Sequence, residues 1–492
     1  MLALYNFKCC PNDTNAVASP THKSRMTRDN VWPASLMWRR DHSRSALLLL
    51  LVACCYGLTV LIFHPGYMTI DARYVYADAQ AWRFGDWQSP AMAVLWRVID
   101  PIAPGALSMF LLTATLYWLA FGILAFIALR RSIWLGLAVP LLGVLPPAFF
   151  FAGMIWRDVQ FAVMWLLASV LAFATADCQC SRRARLAVQA IALALIAFGV
   201  LLRPNAVIAA PLLATYALWP VRFSLKRAAI AFFPAALLFG ALVPAVYYGL
   251  LGAQRQNPLH SILVFDLGGI THFSGENVFP VQWSAQQTAL LKSQCYDPAR
   301  WDTLWHLPPC PFVMQRLERP DDVIFGRPLL VRAWWHAVIG HPLSYLAHRA
   351  TFMWQFLARA NLVLPVWDWA SPDASYGHNP YFIPMLRLHE MLSSGPLFRP
   401  ALWLALAMAT AVLAWRRRDT APGAFAVGVS SCAVVYVASF FVLGVAGDFR
   451  YAYWCVLASL AGAVAMAISR LEAGTEHETG FSGAAQARPA SP

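Results

Sequence analysis

Charged residues are scarce in this chain of 492 residues: 12% are Asp, Glu, Lys or Arg, whereas 59% are hydrophobic. A soluble globular domain carries about 25% charged residues, roughly twice that share. The shortage of charge therefore excludes an ordinary soluble fold. It predicts an all-α polytopic membrane protein, because only helices and closed barrels satisfy their backbone groups in a bilayer.

Several common signatures are also missing. We find neither a P-loop nor a Gly-rich dinucleotide fingerprint, so a nucleotide or nucleotide-sugar substrate in the cytosol is not expected. The ten cysteines show no metal-ligand spacing. The first 44 residues lack a signal-peptide pattern. The net charge of +13 lies mostly in short loops between apolar runs, and no basic, aromatic-laced domain is present to bind nucleic acid.

Ten apolar runs follow one another along residues 45–470, which we interpret as one transmembrane domain. Most approach the ~20 residues that cross a bilayer. The runs are 46–63, 106–129, 133–152, 159–176, 186–202, 206–219, 228–250, 401–415, 423–443 and 451–468. The shortest are 206–219 and 401–415, and counting them gives about ten transmembrane helices.

Clusters of Arg and Lys mark alternate loops. They are Arg39-Arg40/Arg44, Arg130-Arg131, Arg182-Arg183/Arg185, Arg222/Lys226/Arg227 and Arg416-Arg417-Arg418. The positive-inside rule places all of them in the cytoplasm, with both termini inside. The cytoplasmic tails would be 1–44 and 471–492, the latter disordered by its composition. The residues 64–105 (the first loop) and 251–399 (the large loop) would then face outward, in a bacterium toward the periplasm.

Two features of the predicted outer segments concern their shape. Aromatic residues in the first loop favour interfacial helices. Residues 328–357 are apolar enough to be ambiguous, and we interpret them as an amphipathic helix on the outer leaflet, with a re-entrant helix pair as the alternative. Cys295 and Cys310 are the only cysteines of the large loop, and an oxidising outer compartment predicts a disulfide between them.

Three carboxylates of the first loop lie within sixteen residues, shortly after the first apolar run: Asp71, Asp78 and Asp86. Asp71 and Asp78 are seven residues apart and would share one face of a helix. Acids of this kind usually solvate a surface or cap a helix. Their position at the bilayer edge among aromatic residues makes all three candidates for acid–base catalysis.

Basic and acidic residues also mark the other predicted outer turns. Arg157-Asp158 sits between charge-free flanks at the membrane boundary, where such a pair is costly unless it is paired or functional. Arg203 precedes a Pro-Asn turn, and a snorkelling Arg is its alternative reading. Arg450 lies in the last outer turn, and Arg349 follows His348 in the ambiguous segment 328–357. An outer face with these groups could bind a phosphate and deprotonate a hydroxyl. Because no nucleotide-activated donor is expected outside the cytosol, the donor of any group transferred there must arrive through the membrane.

The stretch from Asp71 to Pro90 (Asp71-x-Arg73-Tyr74 followed by Gly85-Asp86-Trp87) resembles the membrane glycosyltransferases of the GT-C superfamily. Its family-39-like members include protein O-mannosyltransferases and lipid A aminoarabinose transferases. The chain also resembles such members at four further places: Arg157-Asp158, Arg203-Pro204-Asn205, His341-Pro342 and Asp448…Arg450-Tyr451. Two departures stand out: Ala72 follows Asp71 where relatives often have Glu, and Gln88 replaces a frequent His.

The resemblance implies transfer of a sugar from a polyprenyl-phosphate donor to an envelope glycan, lipid or protein acceptor at a bacterial inner membrane. Asp71 would be the first-loop acid, and Asp158 either a ligand of a divalent cation (Mg²⁺ or Mn²⁺) or a group on the phosphate side. Arg157, Arg203, Arg349 and Arg450 would bind the donor phosphate. An O-antigen polymerase or ligase, which relies more on outer-loop Arg and His, is the alternative. A lipid or solute transporter is a third, disfavoured by the lack of repeats and of mid-span ionisable residues.

Overall fold

The protein is described here by a computed structural model that covers residues 34–177, 181–359 and 379–485. Over these residues the fold is all-α, with three isolated bridges and no β-strand. The helices, numbered in chain order, are α1 (Ala34–Phe63), α2 (Ile70–Ala81), α3 (Pro90–Ile99), α4 (Ala106–Leu129), α5 (Ile133–Gly143), α6 (Pro146–Ala152), α7 (Arg157–Asp177), α8 (Arg182–Leu202), α9 (Ala210–Leu218), α10 (Leu225–Pro244), α11 (His260–Ser274), α12 (Ala285–Ser293), α13 (Asp302–Trp305), α14 (Phe312–Leu317), α15 (Pro328–Gly340), α16 (Pro342–Arg359), α17 (Phe382–Ser393), α18 (Pro400–Trp415), α19 (Ala421–Leu443) and α20 (Tyr453–Ala485).

The long apolar helices confirm a polytopic membrane protein, but not ten spans. Seven helices of the described chain are long and apolar enough to cross a bilayer, and α5 with α6 makes an eighth if this pair, bent by 59°, is one span. The two shortest predicted spans form shorter helices. The 206–219 run becomes a 3₁₀ turn (Pro204–Ile208) followed by α9, and the 401–415 run becomes α18. Proline residues start or interrupt both, which limits their length.

Four of the five Arg clusters meet at one end of the bundle, which we call the basic end. Arg130 and Arg131 both pair with Asp177 at the end of α7, at 2.9 and 2.7 Å. Arg417 donates to Ser469 of α20, and the Arg418 carbonyl accepts the Phe223 N–H at 2.8 Å. The cluster 182–185 opens α8, which starts at the same end. The contacts thus reproduce the sorting of loops that the charge pattern predicts.

The remaining connections gather at the opposite end. Isolated β-bridges pair Tyr67 of the first loop with Met154 and Gly85 of the same loop with Gln254. A third β-bridge pairs Arg300 of the large loop with Ala446. These contacts join segments that are far apart in the sequence, and they bring the predicted outer residues onto one surface. Which side of a membrane this end faces is a prediction of the positive-inside rule.

Burial identifies the centre of the bundle. The apolar windows of α7 and α20 are each 83% buried, whereas that of α10 is only 6% buried. Large aromatic side chains fill the centre, with Trp165 of α7 against Trp454 of α20 at a ring distance of 5.4 Å. The helix that begins at Arg157 and the helix that follows the turn with Arg450 are therefore the most deeply buried of the long apolar helices.

Three further predictions differ in detail from the structure. The 328–357 segment is two helices, α15 and α16, divided at His341 because Pro342 follows it. The last helix continues to Ala485, so residues 471–485 are helical where composition predicts disorder, and 486–492 lie outside the described residues. The polar tail 1–44 is described only from residue 34, where α1 begins. The structure does contain a disulfide between Cys295 and Cys310.

Candidate active site

A cleft at the opposite end of the bundle collects residues from four segments that the sequence singles out. Its lining comes from α2, the start of α3 with the turn before it, the start of α7 with the residues before it, and the 3₁₀ turn before α20. The lining residues are Asp71, Ala72, Val75, Gln88, Met92, Ile155, Trp156, Arg157, Asp158, Arg450 and Tyr451. Four of the predicted site residues therefore meet here, across as many as 379 positions of sequence.

Local structure explains how α2 and α3 present this cleft. Ser89 caps α3 by accepting the Met92 N–H, and Pro90 occupies the first helical turn, where it needs no donor. The Ser89 hydroxyl also donates to the Leu201 carbonyl at 2.9 Å, which ties this turn to the end of α8. Trp156 donates to the Thr69 hydroxyl at 2.6 Å, just before α2 begins. The first loop is thereby fixed to the bundle on both sides of Asp71.

Asp71 is the carboxylate that the cleft exposes most fully, with 38% of its side chain accessible. One oxygen accepts from Arg450 Nη1 at 3.0 Å, and the other accepts from Gln88 Nε2 at 3.1 Å. Burial acts to raise the pKa of the Asp71 carboxyl, but the charges of Arg450 and Arg157 and these hydrogen bonds hold that pKa below its usual value. Asp71 is therefore ionised at neutral pH.

Arg450 connects Asp71 to a second acid. Its Nε lies 3.2 Å from Asp448 Oδ2, and its guanidinium stacks over Trp156 at 4.8 Å from the ring centre. Asp448 also accepts the backbone N–H of Arg450 at 3.0 Å, as the cap of the turn Phe449–Ala452. Burial raises the pKa of the Asp448 carboxyl. Arg450 thus bridges two carboxylates and remains paired if one of them changes partner.

Asp158 and Arg203 form the second ion pair of the site, with Arg203 Nε 2.7 Å from Asp158 Oδ1. Both side chains are nearly buried, with 4% and 11% of their surface accessible. The Arg203 guanidinium lies over the ring of Tyr451 at 4.7 Å, next to Arg450 in sequence. This pair joins the start of α7 to the turn after α8.

Arg157 differs from the other two arginines of the site. Its Nη1 donates to the Trp87 carbonyl at 2.9 Å. No carboxylate of the described chain lies within ion-pair distance of it, although Asp71 and Asp158 contribute to its electrostatic surroundings. It is only partly buried and lines the cleft. Arg157 therefore holds a positive charge in the cleft that no acid neutralises directly.

The surroundings of Asp158 do not suit the divalent cation that the resemblance implies. Mg²⁺ and Mn²⁺ require several oxygen ligands, whereas Asp158 points an oxygen at the cation of Arg203 and follows Arg157. In the described part of the chain, no three His, Cys, Asp or Glu side chains are grouped so that they could hold a metal. The geometry instead gives Asp158 a contact that neither sequence reading included, the ion pair that orients Arg203.

Asp78 and Asp86 do not join Asp71. Asp78 lies two helical turns further along α2, about 10 Å along the axis, and it is not part of the cleft lining. Asp86 is buried and accepts from the Tyr248 hydroxyl at 2.8 Å and from the Gln256 N–H at 2.6 Å. It fastens the first loop to the residues after α10. The structure therefore brings only Asp71 of the three predicted acids into the cleft.

Arg349, for which the sequence predicts phosphate binding, also lies outside the cleft lining. It is fully buried, with Nε 2.7 Å from Asp266 Oδ1, and it donates to the Gly444 carbonyl at 2.7 Å. His348 contacts the same carboxylate at 3.1 Å, and its other ring nitrogen lies 2.9 Å from the Tyr296 hydroxyl. This network joins α11, α16 and the segment that leads to Arg450.

Several important residues were missed or undervalued at the level of sequence. Asp266 is the partner of Arg349, and its signal was a single acid within the otherwise apolar stretch His260–Ser274. Asp448 was noted only as part of the last turn, although its two-residue spacing to Arg450 is that of a capping acid. Gln88 was noted as a departure from relatives, and the structure shows that its amide donates to Asp71.

Comparisons with known proteins add one structural likeness. No family model matches the chain, and no curated protein matches it. A solved structure, the archaeal oligosaccharyltransferase AglB from Archaeoglobus fulgidus in complex with an inhibitory peptide and a dolichol-phosphate, matches with 14% identity and a TM-score of 0.38. The match covers 92% of this chain and 53% of the other, so the chain spans about half the length of that protein.

Proposed function

We propose that the protein is a membrane glycosyltransferase of the GT-C type, which moves a sugar from a polyprenyl-phosphate donor to the hydroxyl of an envelope glycan or lipid. The site lies at the bundle end that the charge pattern predicts to face outward, at a bacterial inner membrane. The observation that carries the proposal is the pairing pattern of the cleft. It combines an accessible, ionised carboxylate with a guanidinium that has no carboxylate partner.

Arg157 supplies the contact for the donor phosphate. A phosphate oxygen forms charge-assisted hydrogen bonds with a guanidinium, and these are about twice as strong as neutral ones. Because Arg157 already donates to a backbone carbonyl, its orientation is fixed before a ligand arrives. Arg450, at the other wall of the cleft, stabilises the negative charge that develops on the leaving phosphate.

Asp71 accepts the proton of the acceptor hydroxyl. The hydroxyl oxygen attacks the anomeric carbon, the bond from that carbon to the phosphate oxygen breaks, and its electron pair leaves with the phosphate. The sugar is transferred with inversion, and the proton ends on the Asp71 carboxylate. General-base assistance of this kind contributes about 10²–10⁴-fold to a rate.

The low pKa of Asp71 suggests how its basicity is set during the reaction. In the free site Arg450 neutralises Asp71. As negative charge develops on the leaving phosphate, it competes for the same guanidinium, which Asp448 continues to hold through Nε. Loss of the Arg450 contact raises the proton affinity of Asp71 at the moment when the hydroxyl becomes acidic.

The polymerase or ligase alternative loses support from the placement of His348 and Arg349. That reading depends on outer-loop Arg and His side chains that contact substrate, whereas both of these are fully buried against Asp266. No observation in the cleft favours a transporter over a transferase. The relative sensitivity of activity to Asp71 and Arg349 substitutions still separates the two enzymatic readings.

The test is mass spectrometry of envelope glycolipids and glycans from a deletion strain complemented with the wild type or with Asp71→Asn. The proposal expects one hexose- or pentose-sized increment to disappear in the deletion strain and to return only with the wild type. Asp321→Asn is a matched control, because Asp321 is an acid of the large loop whose side chain is 79% exposed. Protein level and membrane insertion must be equal in all strains.

Two outcomes contradict the proposal at different points. A fully active Asp71→Asn removes the base assignment but leaves sugar transfer standing. An unchanged glycan profile together with accumulation of a polyprenyl-linked species replaces transfer by polymerisation, ligation or transport.

A further inference from the structure

Three tryptophans from two separate loops stack beside the cleft, and the chemistry proposed above does not use them. Trp301 and Trp305 are nearly parallel, with ring centres 5.2 Å apart and planes inclined by 11°. Trp87 of the first loop packs against both, at 6.0 and 5.5 Å. We call these three side chains the indole platform.

Hydrogen bonds tie the indole platform to both walls of the cleft. The Trp87 carbonyl accepts from Arg157, and the next residue, Gln88, donates to Asp71. On the other side, the Trp301 N–H donates to the Val445 carbonyl at 2.9 Å, five residues before Arg450. Adjacent Cα atoms are about 3.8 Å apart, so the platform begins one residue from the cleft lining.

The members of the platform differ in exposure. Trp301 is 5% exposed and supports the stack from below, whereas Trp87 and Trp305 are half-buried and keep part of their ring surface accessible. Polar groups lie at the edge: His306 is exposed and meets the Trp305 ring edge-on at 4.5 Å, and the Arg300 side chain is 55% exposed. The result is an aromatic surface made of two accessible rings inclined by 42°, with hydrogen-bonding groups at its rim.

This combination matches the two faces of a pyranose ring. The C–H groups of a sugar ring form an apolar patch that packs flat on an aromatic ring, while its hydroxyls need polar partners at the edge. We propose that the indole platform is a sugar subsite, on which Trp87 and Trp305 stack against a pyranose ring of the substrate. The inference rests on the proposed function, and it adds the position at which the carbohydrate is held.

Tryptophans near the end of a transmembrane bundle are also common membrane anchors, because indole rings prefer the headgroup region of a bilayer. Two properties favour the sugar subsite. The parallel stack on a buried Trp301 fixes the orientation of Trp305, whereas an anchor needs only burial in the interface. The platform is also bonded to the residues of the cleft, and an anchor has no need of that connection.

The experiment measures sugar binding without transfer. The full chain is reconstituted in nanodiscs and titrated with a panel of methyl glycosides (glucoside, mannoside, galactoside and N-acetylglucosaminide), and binding is followed by saturation-transfer difference NMR. The variants are Trp305→Phe, which keeps a flat ring, Trp305→Leu, which keeps apolar character without one, and Trp87→Ala. Trp335→Ala is the control, since Trp335 is 55% exposed on α15 and outside the platform.

The expected result is saturable transfer to ring C–H protons of at least one glycoside with the wild type, Trp335→Ala and Trp305→Phe. Trp305→Leu and Trp87→Ala should bind about tenfold more weakly, as loss of one aromatic contact predicts. Equal binding by Trp305→Leu and Trp305→Phe overturns the proposal and favours a lipid anchor. Absence of a saturable signal with every glycoside of the panel also overturns it. Retention of the Cys295–Cys310 disulfide in each variant verifies that the large loop is folded.

A competition arm identifies which sugar the platform holds. Displacement of the glycoside by undecaprenyl-phosphate-glucose, but not by undecaprenyl phosphate, assigns the platform to the donor sugar; persistence of the glycoside assigns it to the acceptor. Failure of the two proposals is distinguishable. Glycoside binding that depends on Trp305 together with an unchanged envelope glycan profile leaves the subsite and removes transfer. Loss of sugar transfer in Asp71→Asn, together with glycoside binding that does not depend on Trp305, leaves the transfer proposal standing and removes the sugar subsite.

Discussion

Removal of the Asp158 charge should be the most destabilising single change in the cleft. In Asp158→Asn the Arg203 guanidinium, 11% exposed, loses its carboxylate partner at 2.7 Å. Breaking a buried pair by neutralising one member costs about 3–5 kcal/mol, because the other charge stays buried without compensation. The ring of Tyr451 below Arg203 offsets only part of this cost.

The reciprocal change should cost less, for a reason visible in the structure. In Arg203→Met the Asp158 carboxylate keeps the nearby charge of Arg157. The double variant Asp158→Asn/Arg203→Met removes both charges and should be nearer to the wild type than Asp158→Asn alone. Replacing a whole buried pair by groups of similar volume is often close to neutral. Because the double variant should lie near the wild type, the coupling should approach the summed costs of the two single changes, about 3 kcal/mol or more.

The free energy of unfolding in mixed micelles, followed by SDS titration, measures each corner of this cycle. Asp71→Asn serves as the reference, because Asp71 is 38% exposed and Arg450 retains Asp448 when the Asp71 charge is lost. That variant should lose no more than about 1 kcal/mol, as expected for a partly exposed pair. A coupling below about 0.5 kcal/mol, or a loss in Asp158→Asn as small as that in Asp71→Asn, refutes the role of the pair as a buried brace.

Three other predictions concern pH, the large loop and the first loop. The Asp71 pKa is held below its usual value, so the Asp71–Arg450 pair stabilises the fold above the unfolded-state pKa of about 3.9 and is lost only as pH falls through the lower folded-state pKa. The rate of sugar transfer should thus be constant from pH 7 to 5. In Arg450→Gln, the fall of the rate on the acid side of the pH profile should move to higher pH. If that fall does not move, the titrating group is not Asp71. Cys295→Ser should lower the free energy of unfolding by about 3 kcal/mol, the value for a closed loop of this size. A reductant should lower the free energy of unfolding of the wild type by the same amount. Cys54→Ser, which removes a free cysteine, is the control. Asp86→Asn should cost about 1–3 kcal/mol, because two partly buried donors lose a carboxylate acceptor. The purified folded variant should keep sugar transfer within tenfold of the wild type, and a complete loss of transfer would return Asp86 to the catalytic residues.

The sorting of loops into two ends was predictable because it depends on a property of single residues. Arg130 and Arg417 are costly in the hydrocarbon core wherever the helices pack, so their positions alone mark helix ends. The meeting of Asp71 with Arg450 followed from the same alternation, since both lie in loops assigned to the same side. Length and hydropathy do not indicate how a run is broken by proline, and the structure therefore does not confirm the spans predicted at 206–219 and 401–415.

The roles of individual acids were less predictable, because they depend on partners distant in sequence. Asp71 and Asp86 look alike in the first loop, but Asp86 is enclosed by Tyr248 and the backbone of Gln256, more than 160 positions away. Arg349 carries the same charge as Arg157, yet it meets Asp266 inside the large loop. Sequence identifies which residues are able to do chemistry, whereas burial and pairing decide which of them are left to do it.

In the proposed reaction, the charge balance of the cleft makes Arg157 the decisive residue for the donor. Asp71 and Asp448 share Arg450, and Asp158 holds Arg203, so all three carboxylates engage two of the three arginines. The third, Arg157, donates to a carbonyl, which leaves its charge to attract an anion. Arg157→Gln should therefore weaken binding of undecaprenyl phosphate about tenfold or more, the loss of one charge-assisted contact, with little change in unfolding stability. Arg203→Gln should instead destabilise the fold. Equal loss of phosphate binding in both variants, at equal stability, contradicts this division of roles between the two neighbouring arginines.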